Sequence, residues 1–210
     1  MAGIAGLIMD FHQFIQDSQD WRLLSEEIKF ANPYVQVRAS RVQTPSRPEG
    51  CNWTVVHRKA AAVVIPFTES GHLILVRQER VPIRATLWEF PAGQIDQNTL
   101  QDDSVIRETA LRELREESGY ELGPGGELLS LGYFFPSCGF TDEHSHLFLA
   151  RPVVPSPHGR SPDEQEAIAE CRAFSLEEFR SMIASGEIRD ANTLSAYARM
   201  CAMGFIHVTE

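Results

Sequence analysis

Cysteine is scarce in this chain of 210 residues: four thiols, Cys51, Cys138, Cys171 and Cys201, with no C-x-x-C pair among them. That spacing argues against a zinc site or a dense disulfide framework, and reduced thiols in a cytoplasmic setting are the expectation. Basic charge is also short, with 19 Lys and Arg against 29 Asp and Glu and a formal net charge of −10. Neutralising a nucleic-acid backbone needs a basic patch, so no nucleic-acid partner is expected. A small phosphorylated ligand stays open, because a metal ion reconciles an acidic site with an anion. Long apolar runs are missing too. The start MAGIAGLIMDF is too short to span a membrane and lacks the basic opening of a signal peptide. It reads as a terminal segment that packs on the fold or on a partner, with no membrane association. Internal repeats and low-complexity tracts are absent.

What remains is an ordinary globular composition, 43% hydrophobic and 23% charged. YVQVRASRV (34–42) alternates, with Val35, Val37 and Ala39 on one face, as a half-buried strand does. PSRPEG (45–50) reads as a turn and WTVVHR (53–58) as the next strand. AAAVVIPF (60–67) is a continuous apolar run fit for a strand buried on both faces. Strands follow at 72–80 and 87–93, then a loop over 94–103 and a helix over 104–118 that Gly119 stops. Two further strands are expected at 128–137 and 144–153, separated by a turn, then a loop over 155–166. A strand over 169–175 and helices over 176–188 and 191–204 close the chain. Strands interleaved with helices point to an α/β or α+β class, with residues 1–58 as a small unit whose second half is β-rich and 59–210 as the main domain.

The helix carries the chemistry. In RETALRELREESGY (107–120), Glu113, Glu116 and Glu117 lie three and four apart, so an α-helix sets them toward one side. Like charges at that spacing repel by about 0.2–0.5 kcal/mol per exposed pair. One reading is a solvated face supported by Arg107, Arg112 and Arg115. The other is a set of hard oxygen ligands for a divalent cation that also meets a phosphate, with Arg112 bracing the carboxylates.

The ordered pattern Arg112-Glu113-Leu114-x-Glu116-Glu117-x-Gly119-Tyr120, preceded by Gly93 in EFPAGQID, resembles the R-E-U-x-E-E-x-G-U core of the Nudix family, U being aliphatic. The resemblance runs from about Trp53 to about Met200. Two features depart from it: the interval from Gly93 to Arg112 is longer than the family's, an insertion within DQNTLQDDS, and Ser104 stands where the family has a further glutamate. The resemblance implies an α/β/α sandwich with a mixed sheet and a small N-terminal β subdomain. It implies a Mg²⁺ site, with Mn²⁺ as an alternative ion, held by Glu113, Glu116, Glu117 and the Ala92 carbonyl. The activity it implies is hydrolysis of a diphosphate joined to another group.

Other segments bear on that group. LVRQERVPIRATLWEFPAGQID resembles ADP-ribose pyrophosphatases, and FFPSCGFTDE resembles their loop downstream of the helix, with Cys138 in place of a proline. The likeness makes Trp53 an adenine-stacking residue, Arg58 and Arg80 diphosphate arginines, and Glu143 a substrate residue. In SPDEQEAI (161–168) it makes Glu164 the general base and Glu166 a further metal ligand, with the choice of base between the two left open. It implies a homodimer. ADP-ribose is the substrate expected first. GDP-mannose, ADP-glucose or NADH, or a sensor that binds a nucleotide sugar without cleaving it, are the alternatives.

Overall fold

The computed structural model describes residues 20–95, 103–161 and 167–207. The N-terminal segment and the acids Glu164 and Glu166 lie outside the described residues. Two sheets organise the rest. β1 (Arg22–Ala31), β2 (Gln36–Thr44) and β3 (Arg47–His57) form an antiparallel sheet in the order β1-β2-β3. The second sheet is built on β4 (Ala61–Thr68), β5 (Leu73–Arg80), β6 (Ala85–Glu89), β7 (Ala92–Gln94), β8 (Tyr120–Phe134), β9 (Ser145–Pro155) and β10 (Ile168–Phe174). Its order is β10-β5-β4-β9-β8, with β6 on β5 and β7 on β4. Among the described strands of this sheet, β4 and β9 alone pair in parallel, so the sheet is mixed.

Helices cover both faces of that sheet. The apolar run 60–67 explains why, since successive side chains of a strand point to opposite faces. Val63 and Ile65 pack with α2 (Leu176–Ala184) and α3 (Ala191–Ala202) through Phe179, Met182, Ala196 and Met200. Ala62 and Val64 pack against α1 (Asp103–Glu113) through Ile106 and Ala110. The result is an α/β/α sandwich, the class anticipated from the resemblance. Ring pairs knit the α2–α3 layer: Trp88 meets Phe174 edge-on at 4.9 Å, and Phe90 lies 5.5 Å from Phe179. All four cysteines are free thiols. No helix among the described residues is long and apolar enough to cross a membrane.

Several expected elements differ in detail. β1 was not anticipated, and its residues are exposed along almost the whole strand. With neither face buried, no alternation is written into RLLSEEIKFA; pairing with β2 alone makes it a strand. The turn expected over 45–50 shrinks to Pro45–Ser46, and β3 runs through Pro48. β3 is an edge strand, where proline's missing N–H costs no ladder bond. The strand expected over 87–93 is two strands. Pro91 has no N–H to continue the β6 ladder, and its carbonyl instead accepts from Val64 N at 2.9 Å, starting the switch from β5 to β4. β8 begins at Tyr120 rather than near Leu128, its pairing with β9 interrupted between Leu122 and Glu127 around GPGG.

Candidate active site

α1 does not end as an ordinary α-helix. Leu114–Ser118 continues it as one π-helical turn, the wider i→i+5 winding that often marks functional positions. Gly119 closes the turn at φ 72°, its N–H donating to the Arg115 carbonyl at 2.9 Å. Around this turn the chain is tied down repeatedly. Ser118 Oγ donates to the Leu114 carbonyl, and Cys171 Sγ donates to the Ser118 carbonyl at 3.4 Å. Burial, with Glu117 and Glu170 nearby, pushes the Cys171 thiol up to about 11 despite Arg160, so it stays a protonated donor at neutral pH. Ser161 N donates to the Glu116 carbonyl at 3.0 Å, and Glu79 N donates to the Ala167 carbonyl at 3.0 Å. The described flanks of the acidic segment 162–166 are thereby fixed at the carboxylate turn and at β5.

The three glutamates divide. Glu113 and Glu117 are buried, while Glu116 is half-buried. Glu117 Oε2 accepts from the Ala92 N–H at 2.7 Å, binding the helix to β7. Glu113 lies against Gly93 so closely that a Cβ there would stand 1.9 Å from its Oε1. Gly93 is therefore a matter of space: the carboxylate occupies the volume any side chain would need. Arg112 spans two of the acids, Nη2 lying 2.5 Å from Glu113 Oε1 and Nη1 2.7 Å from Glu116 Oε2. The solvated-face reading fails here, because two of the three carboxylates are inside. They do not form a ready-made cage either: among the described residues no group of three His, Cys, Asp or Glu is arranged to hold an ion. The donor chemistry nonetheless suits a hard divalent cation, since buried carboxylate oxygens converge on the β7 backbone and the Gly93 cradle admits no competing side chain.

Arg80, at the end of β5, is engaged from below. Its Nε lies 2.9 Å from Glu89 Oε1 and 3.1 Å from Oε2, and its Nη2 2.5 Å from Oε2. Hydrogen bonding to Glu89 holds the Arg80 guanidinium above its ordinary value against the cost of burial, and the charges of Glu89, Glu117 and Asp190 act the same way. Asp190 caps α3, accepting from Thr193 N at 3.0 Å. Burial first, then the charge of Glu89, pushes its carboxyl up to about 6.

Trp53, Arg58 and Glu143 gather elsewhere, on the seam between β3 and the loop 137–143. Trp53 is exposed, not a core residue, and its Nε1 donates to the Gly139 carbonyl at 3.2 Å. It borders a concavity on the three-stranded sheet together with Arg41 and Asn52. Arg58 Nη1 pairs with Glu143 Oε1 at 3.1 Å, while its backbone N–H donates to Asp142 Oδ1 at 3.2 Å. His57 Nδ1 meets Asp142 Oδ2 at 2.6 Å. The residues singled out from sequence thus fall in two groups, one at the carboxylate turn with Arg80 and one along this seam. Glu89, Asp190 and the His57–Asp142 contact were missed. A signal existed for Glu89, a carboxylate inside the otherwise apolar LWEFPAG; Asp190 announced itself only as a helix cap.

Comparison with known proteins identifies the family. The family description of the NUDIX domain matches residues 56–197. The chain is 32% identical over 181 residues to the ADP-ribose pyrophosphatase of Bacillus subtilis (strain 168), covering 86% of this chain and 91% of that protein. It is 30% identical over 175 residues to the methanol dehydrogenase activator of Bacillus methanolicus, covering 83% and 89%. A crystal structure of an ADP compounds hydrolase superposes with a TM-score of 0.68 at 18% identity, over 91% of this chain and all of that one, a likeness of fold. A match that takes in the carboxylate turn, the Gly93 cradle and both layers of helices settles the family: the chain belongs to the Nudix hydrolases.

Proposed function

We propose that this Nudix pyrophosphatase hydrolyses the diphosphate of ADP-ribose, giving AMP and ribose 5-phosphate, with Mg²⁺ as its ion. The observation that carries the reading is the pair of buried carboxylates, Glu113 and Glu117, packed on β7 at Gly93 and Ala92. ADP-ribose comes from the Bacillus subtilis relative, an ADP-ribose pyrophosphatase matched over most of both chains. Glu113, Glu116, Glu117 and the Ala92 carbonyl would hold the ion. When bound, Mg²⁺ supplies Lewis-acid polarisation of the phosphoryl oxygens and lowers the pKa of water.

The chain's own residues do the rest. Arg112 holds Glu113 and Glu116 in register. Arg80 offers a planar fork to the diphosphate oxygens and offsets the charge that develops on them. Glu164, with Glu166 two residues on as the alternative base or a further metal ligand, takes a proton from the attacking water. Water adds in line to one phosphorus as the bridging P–O bond breaks, and the leaving phosphate keeps that electron pair. Trp53 stacks on the adenine, with Arg58 and Glu143 beside it.

Because the Trp53 seam and the carboxylate turn are separate groups, we read the active unit as a homodimer in which the three-stranded sheets pack together. Leu23, Leu24, Ile28 and Phe30 on β1 are exposed apolar residues that a second copy would cover. Sedimentation equilibrium is expected to give twice the chain mass, and a monomer for Ile28→Glu with Phe30→Glu; a monomeric parent protein refutes the dimer.

The substrate is tested with ADP-ribose, GDP-mannose, ADP-glucose, NADH and diadenosine polyphosphates, each with Mg²⁺ and with EDTA. Metal-dependent release of AMP, fastest from ADP-ribose, is expected. Faster turnover of another compound keeps the chemistry and rejects the substrate. Tight binding of one compound without turnover of any rejects the enzyme.

A further inference from the structure

Arg80 is the exposed partner of its pair and Glu89 the buried one, their side chains 38% and 3% accessible. Both carboxylate oxygens are used, and they take the guanidinium from the side, through Nε and Nη2. That geometry leaves Nη1 and the outer hydrogen of Nη2 outside the pair, the edge of a guanidinium that matches two phosphoryl oxygens. The backbone prepares the arrangement. β5 and β6 pair with Arg80 opposite Ala85 and Val76 opposite Glu89, so the two charged side chains lie on one face of the sheet. The tight 3₁₀ turn Val81–Ile83 fixes the end of β5, with Arg84 in the left-handed region at φ 53°. Glu89 then stands three residues before Ala92, on the strand that leads into β7, where the Ala92 N–H is bonded to Glu117.

A free arginine at a strand end loses several rotors' worth of freedom on gripping an anion, and a buried fork contact removes that loss in advance. The charges of Glu117 and Asp190 act on the Arg80 guanidinium in the same sense as Glu89, which alone holds it by the fork contact. We propose that Glu89 is a positioning residue for diphosphate binding: it holds Arg80 side-on, so that the outer edge of the guanidinium is already aimed when the ligand arrives. The inference rests on the reading of Arg80 as a diphosphate arginine.

The test is a double-mutant cycle of Glu89→Gln and Arg80→Ala, with ADP-ribose binding followed by calorimetry in EDTA and steady-state kinetics in Mg²⁺. Glu89→Gln keeps the shape but loses the charge and one acceptor. It is expected to raise both the dissociation constant and KM about tenfold, with kcat changed much less. In the Arg80→Ala background the same substitution is expected to change neither, because Glu89 has no fork left to hold. If Glu89→Gln fails to fold, Glu89→Asp replaces it: the charge stays but the carboxylate withdraws by one methylene, and the same dependence on Arg80 is expected. Parental affinity in the folded single mutant overturns the inference alone. So does an equal weakening with and without Arg80, which would make Glu89 merely structural. A parent protein that binds no ADP-ribose overturns the substrate reading and this inference together.

Discussion

Glu117→Gln is expected to abolish nearly all turnover while leaving the fold intact. Glu117 is fully buried, and its Oε2 accepts the Ala92 N–H at 2.7 Å. Glutamine keeps an oxygen in that place, so the bond between the π-turn and β7 survives. What disappears is the negative charge and a hard anionic ligand. Loss of a residue that merely supports a metal ligand costs about 10–100-fold, so loss of a ligand itself should exceed about 100-fold in kcat. Stability should not fall, since the Ala92 bond is kept and glutamine removes the cost of holding a charge in a fully buried place. Glu117→Ala is the contrasting case: the buried Ala92 N–H loses its acceptor, at a cost of about 1–3 kcal/mol. Turnover at saturating Mg²⁺, with thermal unfolding of both variants, separates the two effects. Near-parental turnover by Glu117→Gln would make the metal assignment wrong.

That experiment probes what was most legible in the sequence. The order Arg112-Glu113-x-x-Glu116-Glu117 fixed where to look, and helical spacing predicted a shared side. The division of labour within the triplet was not legible. Burial of Glu113 and Glu117 with Glu116 left half-exposed depends on the π-turn, which has no sequence period of its own, and on β7 arriving from a distant part of the chain. The core strands were legible because β4 is buried on both faces and reads as one apolar run. β1 was illegible for the opposite reason, being exposed on both faces. The same logic explains Arg80. A strand-end arginine advertises a charge, whereas its partner Glu89 is identified only once β5 and β6 pair.

Gly93→Ala tests the cradle itself, and its signature is a suppressor. The new methyl carbon would lie 1.9 Å from Glu113 Oε1, 2.1 Å from Cδ and 2.7 Å from Oε2. Those distances are far inside contact, so either Glu113 swings away or β7 moves. Glu113 is a flexible side chain, but it is 2% exposed and held by Arg112, so its displacement disturbs the Arg112 contacts. Overpacking of this kind costs about 1–3 kcal/mol, and turnover should fall as far as it does in Glu113→Ala, because the same carboxylate leaves the same place. In the double mutant the truncated side chain vacates the volume that the new methyl needs. Gly93→Ala with Glu113→Ala should therefore melt above Gly93→Ala alone, while remaining as inactive as either single mutant. A backbone requirement for glycine predicts the reverse, two independent losses that add. Gly93 has no left-handed φ to demand it, so the expected recovery follows from space alone. Additive destabilisation would show that Glu113 does not fill the glycine's missing side chain.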